Sequence, residues 1–254
     1  MTAQLPITAI RPQPIARPRR NWPAAFAALK RLLANKDATE EVFAIMQALN
    51  GDATWRGYSR LISTVEGGQL AFRREEIATL LANRDWLRTL PEDSLGRAYL
   101  AHVEANNISA EGLIEVSSQV MKGVEHPVAW FGRRTRDVHD LWHVLAGYGT
   151  DGLGEACLVA FSYPQTGGLG WAFIAAGAAL RSRTAEEPHP YKQAILEGYR
   201  RGKACAWLGG VDYAALLPQP LEAVRQQLGL APPRVYDSIP LHARMGAVPK
   251  AGMA

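Results

Sequence analysis

The stretch His139-Asp140-Leu141-Trp142-His143, with Glu155 twelve residues beyond His143, constrains this chain more than any other. Histidines at i and i+4 stand on one face of a helix about one turn apart, and the aspartate at i+1 flanks that face. An uninterrupted helix would carry Glu155 roughly 18 Å away at about 1.5 Å per residue. The helix is predicted to end instead, because Gly147-Tyr148-Gly149-Thr150-Asp151-Gly152-Leu153-Gly154 places four glycines in eight residues. Glycine stops helices and permits the positive-φ turns from which a second helix can start back. Glu155 then opens that second helix, and a helical hairpin gathers His139, Asp140, His143 and Glu155.

These four side chains are candidate metal ligands. Imidazole and carboxylate donors suit zinc, iron or manganese, and without a thiolate nothing selects for softer ions. A bare histidine pair at i, i+4 is more often structural; Asp140, the glycine break and Glu155 tip the balance towards a metal. Zinc peptidases of the His-Glu-x-x-His kind use the glutamate as general base, and an aspartate, one methylene shorter, stands in this motif. Asp140-x-x-His143 matches half of a di-iron carboxylate site, but the second half is missing. A metal-dependent phosphohydrolase would need further histidines and a late aspartate. His102, His126 and His189 lack that context and, with His242, are read as packing or surface residues.

The motif resembles that of the coenzyme Q (ubiquinone) biosynthesis protein four family, His-Asp-x-x-His followed after eleven residues by Glu. The lead-in Arg134-Thr135-Arg136-Asp137-Val138 is similar too, with Asp137 where the family more often has Glu. So are Glu197-Gly198-Tyr199-Arg200-Arg201-Gly202 and Pro220-Leu221-Glu222-Ala223-Val224-Arg225, so that the likeness runs from about Trp22 to Pro233. The resemblance implies a role in ubiquinone biosynthesis: loss of carbon dioxide from the carboxyl-bearing ring carbon of a polyprenylated hydroxybenzoate, with or without coupled ring hydroxylation. It implies a polyprenylated benzoate or quinone precursor, other ubiquinone-biosynthesis enzymes and a membrane surface as partners, and leaves a homodimer open. The cofactor expected is a divalent metal, zinc first, with iron or another redox metal required for an oxidative step. The alternative is a non-catalytic scaffold that binds a prenyl lipid and organises the pathway enzymes, its metal bracing the hairpin.

A chain of 254 residues that is 48% hydrophobic can bury one substantial core, and no composition shift divides it. The expected class is all-α, a single-domain helical bundle with its metal site on the hairpin. Residues 1–21 read as a disordered, basic, proline-containing arm, 22–233 as the helical domain and 234–254 as an extended tail. A formal charge of +4, with no nucleic-acid motif, argues against nucleic-acid binding. Cys157 and Cys205 sit in apolar helical surroundings, as buried free thiols of a reducing compartment do. The first twenty residues hold no apolar secretory core. Although no acidic residue precedes Asp37, four prolines interrupt the helix that a mitochondrial presequence needs and serine is absent. The expected location is a bacterial cytoplasm, on the inner face of the cytoplasmic membrane, or the matrix face of the mitochondrial inner membrane in a eukaryote.

Along the chain, Trp22, Phe26, Leu29 and Leu33 predict a helix over 22–34 that is core-packed or, through Lys30 and Arg31, rests on an anionic bilayer. Asp37 with Glu40 predicts a capped helix to about Leu49, ended by Asn50-Gly51. Helices follow at 75–83, 94–105 and, from Ser109, to Lys122, with a strand candidate at 70–73. Arg133, Arg134 and Arg136 are expected as mostly solvated residues at the start of the motif helix, and Arg136 is the candidate to receive a substrate carboxylate. The uncharged stretch 156–180, broken at 162–168, is too short on either side to cross a bilayer and predicts two buried helices walling an apolar cavity. A helix over 190–206 and one from Pro220 to Gly229 complete the domain, and beyond Pro232-Pro233 the chain is expected to wrap the surface.

Overall fold

The computed structural model describes residues 19–34, 39–108, 127–185 and 187–247. The expected arm over 1–18, Asp37 as a cap, the Leu33 side chain and the helix from Ser109 to Lys122 fall outside the described residues. Within them the fold is all-α, with no strand among the described residues. It runs α1 (Trp22–Ala34), α2 (Thr39–Leu49), α3 (Ala53–Leu61), α4 (Val65–Arg73), α5 (Ile77–Ala82), α6 (Arg84–Thr89), α7 (Leu95–Ala105), α8 (Pro127–Asp137), α9 (His139–Ala146), α10 (Gly152–Thr166), α11 (Leu169–Arg181), α12 (Tyr191–Ala204), α13 (Tyr213–Leu216), α14 (Leu221–Leu228), α15 (Arg234–Asp237) and α16 (Leu241–Ala247).

α10 is the axis of the bundle. Every residue from Gly152 to Ser162 is buried, as expected of a helix apolar on all sides. It is flanked by α12, α11 and α16, with α9 crossing its first turns. The contact with α12 is close because Gly198 and Gly202, one turn apart, face it without side chains. A Cβ on Gly202 would lie 2.2 Å from the Phe161 carbonyl oxygen, and one on Gly198 2.5 Å from that of Cys157. The sequence Glu197-Gly198-Tyr199-Arg200-Arg201-Gly202 is thus a backbone-contact stripe.

The expected stops at Gly51 and Gly229 hold, and α7 adds an N-cap. Gly51 ends α2 at φ 55°, the Ser94 hydroxyl accepts the Arg97 N–H at the start of α7, and Gly229 ends α14 at φ 69°. Cys157 is buried, Cys205 is half-buried, and both are free.

Several expectations are corrected. The strand candidate at 70–73 is the end of α4, which Thr64 caps by accepting the Gly67 N–H; Leu70 and Ala71 bury together beside Trp130 and Phe131, so tertiary packing overrides the short alternation. The break predicted at 162–168 is narrower: α10 continues through Pro164 to Thr166 and stops at Gly167, φ 68°. Pro220 precedes the first turn of α14 rather than opening it. Residues 234–247 are not an extended wrap, since α15, α16 and the link between them bury Tyr236, Ala243 and Ile239; helices of one or two turns are too short to display a period.

α1 also buries a different stripe from the one expected. Ala25, Ala28 and Leu32 are inside, while Trp22 and Phe26 are 43% and 58% exposed and meet Phe173 of α11 at ring separations of 6.0 and 5.0 Å. The small residues win the inward face because α1 lies close against α2, whereas it meets α11 through side chains, the Leu29 side chain reaching Gly177.

Candidate functional site

The hairpin forms as the glycines require. α9 ends at Gly147, whose φ of 75° is the left-handed conformation that glycine adopts without penalty. Asp151 then caps α10, its carboxylate accepting the Gly154 N–H at 2.9 Å. Tyr236 holds this turn from outside, donating to the other Asp151 oxygen and accepting the Gly149 N–H at 2.9 Å.

His139, Asp140 and His143 each offer a donor atom within 4.8 Å of the others, a candidate metal site. Glu155, in the first turn of α10, comes across to the same place: its carboxylate oxygens lie 3.4 Å from His143 Nε2 and 3.8 Å from His139 Nε2. The histidines and Glu155 are buried, whereas Asp140 is half-buried. His143 Nδ1 lies 3.1 Å from the Tyr148 carbonyl oxygen, which holds a proton on Nδ1 and leaves Nε2, facing the cluster, as the nitrogen that would give its lone pair to a cation. His139 Nε2 is buried with no hydrogen-bond partner. An orphaned imidazole nitrogen beside a carboxylate and a second lone pair is a donor set that a divalent cation fits.

The electrostatics follow from burial and crowding. Burial alone would raise the Glu155 carboxyl, but the two imidazoles outweigh it and hold it down at about 2. Burial disfavours the His143 imidazolium, yet Glu155 and then Asp140 turn the net shift upwards. Glu155 therefore supplies a full negative charge to the cluster at neutral pH.

Around this cluster the structure adds residues that the motif does not reveal. His102 of α7 stacks on His143, with ring centres 5.5 Å apart; it is a half-buried neighbour of the site, held neutral with its pKa lowered to about 4 by burial and then by His143. Its Nε2 has no partner. Trp171 of α11 stacks on His139 at 6.1 Å. Nothing local in the sequence marks either residue, because each arrives from a helix remote in the chain.

The arginines differ from expectation. They occupy the end of α8, before the break at Val138, rather than the start of the motif helix. Arg134 is buried, donates to the Val211 carbonyl and sits between Trp130 and Tyr213. Arg133 pairs with Glu76 at 2.6 Å, and Arg136 pairs with buried Asp137 at 2.9 Å. Arg136 and His139 share one apolar cavity of about 280 Å³, lined also by Val42, Met46, Phe131 and Trp171. Of the stretch expected to wall it, only Gln165, Thr166 and Trp171 do so, and α2, α3 and α8 supply much of the rest. A larger hollow of about 440 Å³ between α4, α5 and α8 contains none of the candidate ligands.

A family model described as Coenzyme Q (ubiquinone) biosynthesis protein Coq4 matches residues 17–234. The mouse relative named ubiquinone biosynthesis protein COQ4 homolog, mitochondrial, is 30% identical over 168 residues, covering 66% of this chain and 62% of its own length. The human relative of the same name is 29% identical over 177 residues, with 67% and 63% covered. The chain thus spans under two thirds of the length of these relatives. The crystal structure of a Nostoc punctiforme protein named for ubiquinone biosynthesis superposes with a TM-score of 0.57 at 24% identity, covering 83% of this chain and 99% of that one, and so shares the fold. On the match across residues 17–234, this chain belongs to the coenzyme Q (ubiquinone) biosynthesis protein Coq4 family.

Proposed function

We propose that the chain acts in ubiquinone biosynthesis as a metal-dependent decarboxylase of a polyprenylated 4-hydroxybenzoate intermediate, with His139, Asp140, His143 and Glu155 holding a divalent ion, zinc in the first instance. The observation that carries this reading is the buried cluster opening through His139 onto an apolar cavity that also holds Arg136. A bound divalent ion would supply Lewis-acid polarisation of the substrate carboxylate or, with the ring turned end for end, of the phenol oxygen para to it. The chain's own groups do the rest. Arg136 receives the carboxylate in a charge-assisted contact, in competition with its pairing to Asp137. Val42, Met46 and Phe131 exclude water from the ring. Breaking the ring–carboxyl bond leaves its electron pair on the ring carbon, which takes up a proton as carbon dioxide departs. Ring hydroxylation in the same event would need dioxygen and a redox-active ion, a role zinc cannot fill.

A cavity of about 280 Å³ accommodates a benzoate ring but not a long prenyl chain, so the tail leaves through its mouth. Phe43 of α2 and Trp171 of α11 line the cavity; Phe43 is itself exposed, as are Trp22 and Phe26 of α1, which meet Phe173 of α11. Exposed Lys30 stands on α1, whereas Arg31 is occupied by Glu41. Aromatic rings with a nearby lysine suit the interface of an anionic bilayer, and no helix of the described residues is long and apolar enough to cross one. A peripheral location on the membrane face where prenylated precursors reside follows. Trp22→Ala with Phe26→Ala should release the protein from vesicles containing anionic lipid; unchanged sedimentation would refute this surface.

Elemental analysis of protein purified without added metal, beside His143→Ala and Glu155→Gln, tests the centre. About one equivalent in the parent and little in the variants is expected, together with accumulation of the carboxylated precursor in cells carrying only a variant. Variants that lose metal without accumulating the carboxylated precursor would leave the non-catalytic prenyl-lipid scaffold as the better reading.

A further inference from the structure

α9 has only eight residues, and its last four carbonyls need donors from outside the helix. The His143 carbonyl is served by the N–H groups of Gly147 and Tyr148, at 2.8 and 3.1 Å. The next three are served by two arginines from distant helices. Arg225 of α14 donates through Nε to the Leu145 carbonyl at 3.1 Å and through Nη2 to that of Val144 at 2.7 Å. Arg201 of α12, buried, donates through Nη2 to the Ala146 carbonyl at 2.8 Å.

Arg201 also reaches past the helix end. Its guanidinium lies 4.9 Å over the ring of Tyr148, whose carbonyl accepts from His143 Nδ1, and its Nε is anchored on the Ala231 carbonyl at 2.8 Å. No carboxylate pairs with Arg201 among the described residues, so its charge is met by carbonyl dipoles and an aromatic face. Two cations at a helix C-terminus oppose its partial negative charge. A guanidinium also fixes two acceptors at once, which an ammonium on a flexible stem does not.

We infer that Arg201 and Arg225 are positioning residues for the candidate metal centre. They lock the last turn of α9 and the Tyr148 carbonyl, and with them the direction in which His143 presents Nε2. The inference rests on the metal reading above. It gives a physical role to the two downstream arginine-bearing segments, 197–202 and 220–225, neither of which supplies a donor to the cluster.

The test is Co(II) titration of the full chain followed by its visible absorption, with thermal unfolding measured on the same samples. Arg225→Gln, at a half-exposed position, and Arg201→Lys should weaken Co(II) binding about 10- to 100-fold, the usual effect of removing groups that orient metal ligands, and change the absorption band. Leu70→Ala, in the small separate core with Trp130, should lower thermal stability yet bind Co(II) as the parent does. Folded arginine variants with parental affinity and band would overturn the positioning role, as would an equal loss in Leu70→Ala. If Arg201→Lys does not fold, Arg225→Gln decides alone. A parent that takes up no Co(II) sinks the metal reading and the positioning role together.

Discussion

Gly202→Ala should destabilise the protein, although alanine is the better helix former. In a helix interior the change is worth roughly 0.8–1.0 kcal/mol in favour of alanine. Here the new Cβ would sit 2.2 Å from the Phe161 carbonyl oxygen, where real Cβ atoms stay beyond 3.0 Å, so α12 must move from α10 by close to an ångström. Neither group is a flexible side-chain end. Overpacking costs about 1–3 kcal/mol, and with backbone on both sides of the contact the upper part of that range, about 2–3 kcal/mol, applies. The net expectation is a loss of about 1–2 kcal/mol, or roughly 2–8 °C in Tm at this chain length. Gly68 in α4 is the matched control. A Cβ there meets nothing within 4 Å, so Gly68→Ala should stabilise by about 0.5–1 kcal/mol. Urea and thermal unfolding of the two variants side by side decide it. A neutral or stabilised Gly202→Ala would refute the claim that α10 and α12 are held at backbone contact.

Three further outcomes are expected. Burial pushes the Cys157 thiol well above its ordinary range and the Cys205 thiol up to about 11, so at pH 8 the native protein should resist alkylation while the urea-unfolded chain labels at both; rapid native labelling would contradict the packing. Because burial disfavours thiolate, native labelling of Cys205 should climb only as pH approaches 11. Tyr236→Phe strands the Gly149 N–H and one Asp151 oxygen at the hairpin turn and should cost about 2–4 kcal/mol in urea unfolding, and a cost below about 0.5 kcal/mol would mean that water replaces the hydroxyl. His102→Phe keeps a ring against His143 and removes a buried unpartnered nitrogen, so it should leave metal content unchanged and raise Tm by a few degrees; lost metal would instead make His102 a ligand.

The sequence by itself determined the hairpin. His139 and His143 share a helix face, four glycines end that helix, and Glu155 starts the next, all within seventeen residues and under local backbone rules. It also determined the all-α class, since helical spacing and stop residues such as Gly229 are local signals. Only the tertiary structure decided what surrounds that motif. Arg134 could be known as buried, and Arg136 as a cavity residue paired to Asp137, only once α8 was docked. Trp22 and Phe26 lie outward because Ala25 and Ala28 permit the closer approach, a competition between packings that periodicity does not rank. His102, Trp171, Arg201 and Arg225 reach the cluster or its helix across tens of residues of chain. Hydrogen-bond and stacking partners so far apart depend on how whole helices pack, and no spacing rule within one segment records that.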